Sequence, residues 1–222
     1  MNETIFLSAG VPDPRREPEY ASTADIVAIQ AAVSALVHVV LGRRLLVWGG
    51  HPAITPMIWV AAADMGVDYG GWVRLYQSRY FKDEFPEDNA RFHNVTFCGD
   101  VNNDRQQSLR AMREKMLTDH SFSAAVFIGG MGGIIDEYDL LQKLQPNAKI
   151  LPIASCGGAG RKLAENNKNV PLDLWNDLDY VGLIHRHLGI AVAEQRYLRP
   201  QDQPVDPKLR LRGQVTSRGS DP

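Results

Sequence analysis

The fold is indicated most clearly by residues 124–137, Ala-Ala-Val-Phe-Ile-Gly-Gly-Met-Gly-Gly-Ile-Ile-Asp-Glu. Its first five residues are all apolar, which is typical of a strand that is covered on both faces of a parallel sheet. A glycine-rich turn over 129–133 follows, and a helical pattern begins at residue 134. A buried strand that runs through a glycine turn into a helix is part of a βαβ unit, so this stretch predicts an α/β fold.

The same alternation of short apolar runs and longer helical patterns extends outward along the chain in both directions. It predicts a Rossmann-like, doubly wound, mostly parallel sheet with helices on both faces. The predicted strands are 4–8, 45–48, 72–76, 95–98, 124–128 and 150–154. The clearest helix begins after Thr23-Ala24-Asp25, where Thr23 or Asp25 can act as the N-cap, and Gly42 follows its end. Two further helices are predicted over 53–65 and 105–117.

Length and composition indicate an ordinary globular protein. The chain has 222 residues, of which 44% are hydrophobic and 23% charged, which excludes a disordered or fibrous chain. We expect one folded domain over 1–198 and a flexible tail over 199–222, where Gln, Asp, Pro, Ser and Gly replace the periodic apolar pattern.

Charge and cysteine content restrict the partners and the compartment. The net charge of −2 removes the electrostatic argument for a nucleic-acid or membrane-surface partner. No run approaches the roughly 18 apolar residues of a membrane span, and the N-terminal residues do not resemble a signal peptide. Cys98 and Cys156 are predicted to be reduced thiols, so a cytoplasmic location is expected. The six histidines lack zinc-ligand spacing, and neither a metal nor another cofactor is predicted.

Small residues follow the carboxyl ends of four predicted strands, and these ends meet at one edge of a parallel sheet. The four turns are Ser8-Ala9-Gly10, Gly49-Gly50, Gly129-Gly130-Met131-Gly132-Gly133, and Ser155-Cys156-Gly157-Gly158-Ala159-Gly160. Glycine lets backbone N–H groups approach an anion, and the helix that follows adds partial positive charge. Each turn alone is equally consistent with a tight strand-to-helix connection without a ligand. Together they predict a site for a phosphate-bearing, nucleotide-type small molecule.

Several side chains beside these turns are candidates for the same site. Asp136 and Glu137 lie in the first turns of a predicted helix, where they either face the ligand or only complement the helix dipole. Arg79 follows the third strand and is a candidate for a bidentate contact with phosphate, although a plain surface arginine is equally consistent. His51 follows Gly49-Gly50 and either contacts the ligand or bonds to the backbone at the start of a helix.

The motif over 127–137 resembles the P-G-G-x-G-T-x-x-E signature of the SLOG superfamily, which includes the DNA-uptake protein DprA and the "lonely guy" phosphoribohydrolases. Leu7-Ser8-Ala9-Gly10 and Val47-Trp48-Gly49-Gly50 resemble the turns after the first two strands of that superfamily. Over about 4–195, including 76–79 and 84–89, the chain most resembles SLOG groups of bacterial conflict and antiphage defence systems. The resemblance implies a sensor that recognises a nucleotide or an NAD-derived signal of the ADP-ribose type, and a homo-oligomer.

In the lonely guy enzymes a motif glutamate and an upstream arginine serve cleavage of an N-glycosidic bond. The resemblance places the glutamate at Asp136, with Glu137 adjacent, and the arginine at Arg113. Ile128 and Gly133 stand where the motif has proline and threonine. These departures favour a binding sensor, with a nucleoside 5'-monophosphate phosphoribohydrolase as the alternative and a partner-binding module as a third hypothesis.

Overall fold

A computed structural model describes residues 3–85, 87, 92 and 94–212 of the chain. Its strands are β1 (Thr4–Gly10), β2 (Leu45–Trp48), β3 (Val73–Ser78), β4 (Val95–Cys98), β5 (Ala124–Gly129) and β6 (Lys149–Ile153). They form one six-stranded sheet in the order β4-β3-β2-β1-β5-β6, and every neighbouring pair is parallel. The predicted α/β, doubly wound fold is therefore confirmed.

Helices connect the strands. In the described part of the chain they are α1 (Pro18–Ala21), α2 (Ile26–Val40), α3 (Thr55–Ala63), α4 (Tyr69–Trp72), α5 (Arg105–Asp119), α6 (Gly132–Leu144), α7 (Gly158–Asn166), α8 (Asp173–Asn176) and α9 (Tyr180–Leu188). The predicted start of α2 is confirmed, because the Asp25 side chain accepts hydrogen bonds from the N–H groups of Val27 and Ala28. Among the described residues, no helix combines the length and the apolar character needed to cross a membrane.

Two hydrophobic cores cover the two faces of the sheet, because successive side chains of a strand point to opposite sides. Ile5 and Leu7 belong to the core that α2, α3 and α9 cover. Phe6 belongs to the other core, which α5, α6 and α7 cover. Helices therefore lie on both faces, as the sequence predicts.

The strand order puts a topological switch point between β1 and β5. From β1 the chain moves outward through β2 and β3 to β4, and it then returns to the other side of β1 to add β5 and β6. Sheets of this type bind ligands in the crevice outside the carboxyl ends of the strands at this point. The strands β1 and β5 also continue side by side into their glycines, with Gly10 opposite Gly129.

The C-terminal segment over 199–212, which the sequence assigns to a flexible tail, is instead packed against the domain. It forms 3-10 helices over Pro200–Asp202 and Pro207–Arg210, and the Gln203 amide donates a 2.9 Å hydrogen bond to the Arg43 carbonyl oxygen. Arg210 is buried and donates to the carbonyl oxygens of residues 204 and 205. The segment lacks a periodic apolar pattern, and hydrogen bonds such as the one to Arg43 hold it against the domain instead. The remainder of the predicted tail, 213–222, lies outside the described residues.

Candidate functional site

A cavity of about 470 Å³ lies outside the carboxyl ends of the central strands, at the switch point. Its volume falls within the roughly 300–1,000 Å³ that is typical of small-molecule sites. The predicted site residues that line it are Ala9, Gly10, Gly49, Gly50, His51, Arg113, Gly130, Met131, Gly132, Gly133, Asp136 and Glu137. Ser8 and Gly129 are not among its lining residues.

The glycine turns approach each other so closely that side chains would not fit between them. The N–H of Gly130 donates a 2.7 Å hydrogen bond to the carbonyl oxygen of Gly10, and Gly130 has a φ of 72°. A Cβ on Gly10 would lie 3.3 Å from the Cα of Gly130 and 3.3 Å from the His51 ring. The turns after β1 and β5 therefore form a backbone-lined floor, and Gly49 and Gly50 at the end of β2 line the same cavity.

Arg113 joins the two acidic residues of α6. Its Nε lies 3.2 Å from Oε1 of Glu137, and its Nη1 lies 3.0 Å from Oδ2 of Asp136. The Glu137 side chain is 14% exposed and also accepts a 2.6 Å hydrogen bond from Ser8 Oγ, whereas the Asp136 side chain is 61% exposed. Sequence reasoning left the choice between the two acids open, and the structure places Glu137 deeper in the site.

Side chains from other elements cover the start of α6. The N–H of Gly132 donates a 2.8 Å hydrogen bond to Oε2 of Glu17, and the N–H of Asp13 contacts Met131 Sδ at 3.4 Å. A Cβ on Gly133 would lie 2.8 Å from Nη2 of Arg113. Sequence reasoning missed Glu17, because a carboxylate in the loop after β1 that caps a helix 115 residues later leaves no local signal.

His51 is held as a neutral side chain at the cavity wall. Burial lowers its pKa below the usual value, and the positive charge of Arg16 lowers the pKa further. Its Nδ1 accepts a 3.2 Å hydrogen bond from the N–H of Ala53, so the ring proton of the neutral form lies on Nε2. His51 can therefore offer an N–H donor toward Gly10 and the cavity.

The cations that remain for a ligand are Arg16 and Arg105. Both line the cavity, and neither forms an ion pair with another described residue. The Arg105 guanidinium lies 5.8 Å from the centre of the Phe81 ring. Arg79, the arginine that the sequence proposes for phosphate, is exposed and lies over Phe97, 5.6 Å from the ring centre. Arg79 is the first residue of the 3-10 helix that directly follows β3, and it does not line the cavity.

The fourth glycine turn, with the predicted site residues Ser155, Gly157 and Gly158, does not line this cavity. The N–H of Gly158 donates a 3.0 Å hydrogen bond to Thr23 Oγ1, and a Cβ on Gly157 would lie 1.9 Å from the Thr23 carbonyl oxygen. Ser155 Oγ bonds to the Tyr180 hydroxyl at 3.3 Å. These glycines allow the start of α7 to pack closely against the loop between α1 and α2, so their groups are already used within the protein.

The sequence also missed the aromatic and polar wall between β3 and α5. Its members are Gln77, Ser78, Phe81, Glu84, Phe85, Arg105, Gln106, Leu109 and Met112. On the neighbouring strand, the Nε1 of Trp48 is buried and makes no hydrogen bond with any described residue, although Trp48 lines the cavity. The residues of this wall are far apart along the chain, so a search for short motifs does not find them. Within the described residues, no cluster of three His, Cys, Asp or Glu side chains could hold a metal ion.

The chain is similar to one protein family and to several solved structures. The model of the SLOG cluster3 family matches residues 19–188. No curated protein matches the chain. Six chains of solved structures match, among them the X-ray structure of TM1055, a structural genomics target. It is 12% identical, with a TM-score of 0.42, and the match covers 83% of this chain and 99% of that chain.

Proposed function

The chain belongs to the SLOG cluster3 family, and from this premise we propose that it is a sensor domain for a nucleotide or an NAD-derived signal of the ADP-ribose type. The observation that carries the proposal is the cavity at the switch point, with the close-packed backbone of Gly10 and Gly130 as its floor. Ligands of doubly wound sheets bind in this position, and glycine allows a phosphate or a ribose to approach the main chain.

The chemistry of the walls supports a nucleotide. Arg16 and Arg105 are cations without carboxylate partners among the described residues, and guanidinium groups bind phosphate through several N–H donors. Phe81 and Phe85 add aromatic surface, on which a base can stack. The carboxylate of Glu17 is an acceptor for ribose hydroxyls, as in dinucleotide sites.

The proposal includes a biological setting. The resemblance to SLOG groups of conflict systems supports a role in bacterial antiphage defence and supports a homo-oligomer. The buried free thiols of Cys98 and Cys156 support a reducing compartment such as the cytoplasm. The net charge of −2 supports a small molecule rather than a nucleic acid as the partner.

Cleavage of the N-glycosidic bond of a nucleoside 5'-monophosphate is a second candidate, and the burial of Glu137 favours it. A carboxylate beside the sugar stabilises the positive charge of a ribosyl transition state. However, both oxygens of Glu137 already accept hydrogen bonds, from Ser8 and from Arg113. Gly133 also supplies no hydroxyl for a phosphate. The arrangement therefore supports binding more strongly than turnover.

Thermal-shift measurements with AMP, ADP, ADP-ribose, cyclic ADP-ribose and NAD test the binding proposal. A ligand at 100 times its dissociation constant should add about 2.7 kcal/mol of stability. Arg105→Gln should weaken the response, whereas the control Arg110→Gln should not, because Arg110 lies on the same helix but pairs with Glu114 outside the cavity. The absence of any shift with this panel contradicts the proposal.

Chromatography of AMP incubated with the protein tests the alternative. Release of adenine that is lost in Glu137→Gln and retained in Asp136→Asn would favour the enzyme. An intact substrate, together with a thermal shift, would favour the sensor.

A further inference from the structure

We propose that Glu17 makes this site select the terminal ribose of a nucleoside diphosphate ribose, rather than a terminal phosphate, at the start of α6. This inference rests on the proposed function, since it concerns which part of a bound nucleotide meets Glu17. Glu17 is thus a residue that determines specificity, and its role follows from the position and charge of its carboxylate.

The carboxylate of Glu17 occupies the place where an anionic ligand would bind at this helix. Backbone N–H groups at a helix N-terminus attract anions. Here the first of them, on Gly132, already donates a 2.8 Å hydrogen bond to Glu17 Oε2. A Cβ on Gly132 would lie 2.9 Å from the same oxygen, so the carboxylate lies directly against the helix start.

The second residue of the helix is covered as well. Gly133 faces the guanidinium of Arg113, whose Nη2 would lie 2.8 Å from a Cβ at that position. Arg113 is neutralised by Asp136 and Glu137, with which it forms ion pairs of 3.0 and 3.2 Å. It therefore does not add free positive charge at this end of the cavity.

The resulting charge balance opposes a phosphate monoester. Glu17, Asp136 and Glu137 contribute three negative charges around the start of α6, and the positive charge of Arg113 is paired with two of them. A doubly negative terminal phosphate would have to displace one carboxylate and remain beside two others. Neutral hydroxyl groups can instead donate hydrogen bonds to Glu17, and a ribose offers two adjacent ones.

Phosphate groups have a better place elsewhere in the cavity. Arg105 begins α5, about 12 Å along the helix from Arg113 at 1.5 Å per residue. Arg16 lies close enough to His51 to lower the pKa of that side chain. A diphosphate that is esterified at both ends can bind these two arginines, which have no carboxylate partner among the described residues, while the ribose beyond it reaches Glu17. ADP-ribose has this arrangement of groups, whereas ADP lacks the ribose on its β-phosphate.

Calorimetric titration with ADP-ribose and ADP tests this inference, because the two probes differ only in the ribose attached to the β-phosphate. The wild-type protein should bind ADP-ribose at least about tenfold more tightly than ADP, the difference expected for one hydrogen bond to a charged group. Glu17→Gln should remove this preference by weakening ADP-ribose and strengthening ADP. Glutamine keeps an acceptor for the Gly132 N–H, so the helix start should remain folded.

Glu19→Gln is the matched control, since Glu19 lies two residues away, is exposed and does not line the cavity. It should bind both probes as the wild type does. Equal or tighter binding of ADP by the wild type would overturn the inference and leave nucleotide binding intact. An equal effect of Glu17→Gln on both probes would overturn it too, because Glu17 would then contact their shared adenosine part. Binding of neither probe would overturn both this inference and the proposed sensor.

Discussion

Ser8 Oγ donates a 2.6 Å hydrogen bond to Oε2 of Glu137 and so links the end of the central strand β1 to the first turns of α6. Ser8 is almost fully buried, and the other oxygen of Glu137 accepts from Arg113. The carboxylate is therefore held in one orientation under the cavity. The position of the Glu137 carboxylate thus depends on Ser8, which does not itself line the cavity.

Ser8→Ala should destabilise the protein by about 1–3 kcal/mol, because it leaves a largely buried carboxylate oxygen without its donor. It should also weaken nucleotide binding, since Glu137 is then free to rotate. Urea unfolding and calorimetry measure the two effects.

Asp136→Asn is the control for this change. The Asp136 side chain is 61% exposed, and exposed ion pairs contribute at most about 1 kcal/mol. A larger stability loss in Asp136→Asn than in Ser8→Ala would contradict the importance assigned to the buried hydrogen bond between Ser8 and Glu137.

Gly50→Ala should be far more destabilising than Gly66→Ala. Both glycines have a positive φ, 69° and 61°, so both substitutions share a backbone cost of roughly 1–2 kcal/mol. Only at Gly50 would the new Cβ collide, at 1.8 Å from Gln77 Nε2, whereas nothing lies within 4 Å at Gly66. The difference between the two unfolding free energies measures the collision, and similar values for both variants would contradict this packing of Gln77.

The sequence allows the fold to be predicted in detail because the strands are short and apolar and four of them lead into turns of small residues. All six predicted strands exist, and their ends differ from the observed ones by at most two residues. Gly10 and Gly129 extend β1 and β5 beyond the predicted ends, since small residues carry little strand signal of their own. The local apolar pattern was therefore sufficient to predict the strands.

The candidate site could be predicted only where its residues belong to these turns. The turns after β1, β2 and β5 do line one cavity, but the turn at Gly157 packs against Thr23 instead. Glu17 and Arg105 reach the cavity from distant loops and helix starts, and nothing in their immediate sequence distinguishes them from surface residues. The C-terminal segment was misjudged for the same reason, because Arg210 is buried by hydrogen bonds rather than by apolar periodicity.

Stability should fall as the pH decreases from 7.5 to 5, and His51 should contribute to the fall. Burial keeps the pKa of His51 below about 6.5 in the folded state, so protons bind first to the unfolded chain as the pH drops below that value. The destabilising contribution of His51 is therefore absent near pH 7.5 and grows toward pH 5. It lowers the free energy of unfolding by at most about 1.4 kcal/mol per pH unit.

His51→Asn should reduce this pH dependence, because asparagine can accept from the Ala53 N–H but does not titrate. A part of the dependence should remain, since burial also lowers the pKa values of His38 and His120. Urea unfolding at several pH values provides the measurement. An unchanged difference between pH 7.5 and pH 5 in the variant would show that His51 does not contribute.

Glu194→Gln should destabilise the protein by about 3–5 kcal/mol, because it breaks a buried ion pair from one side. Arg44 donates to both oxygens of Glu194, and each side chain is only 7% exposed. The main chain beside Glu194 also bonds to the C-terminal segment, where the Gln195 N–H donates a 2.7 Å hydrogen bond to the Arg210 carbonyl oxygen. Limited proteolysis should therefore cut the segment 199–212 sooner in the variant.

Glu165→Gln is the matched control for this change, since Glu165 forms its ion pairs with Arg161 and Lys162 at the surface of α7. It should cost at most about 1 kcal/mol and leave the proteolysis of the C-terminal segment unchanged. If the two variants unfold at the same urea concentration, the ion pair between Arg44 and Glu194 does not hold the segment 199–212. If Glu194→Gln lowers stability without faster cleavage, the segment is held by Gln203 and Arg210 through their own hydrogen bonds to backbone carbonyl groups.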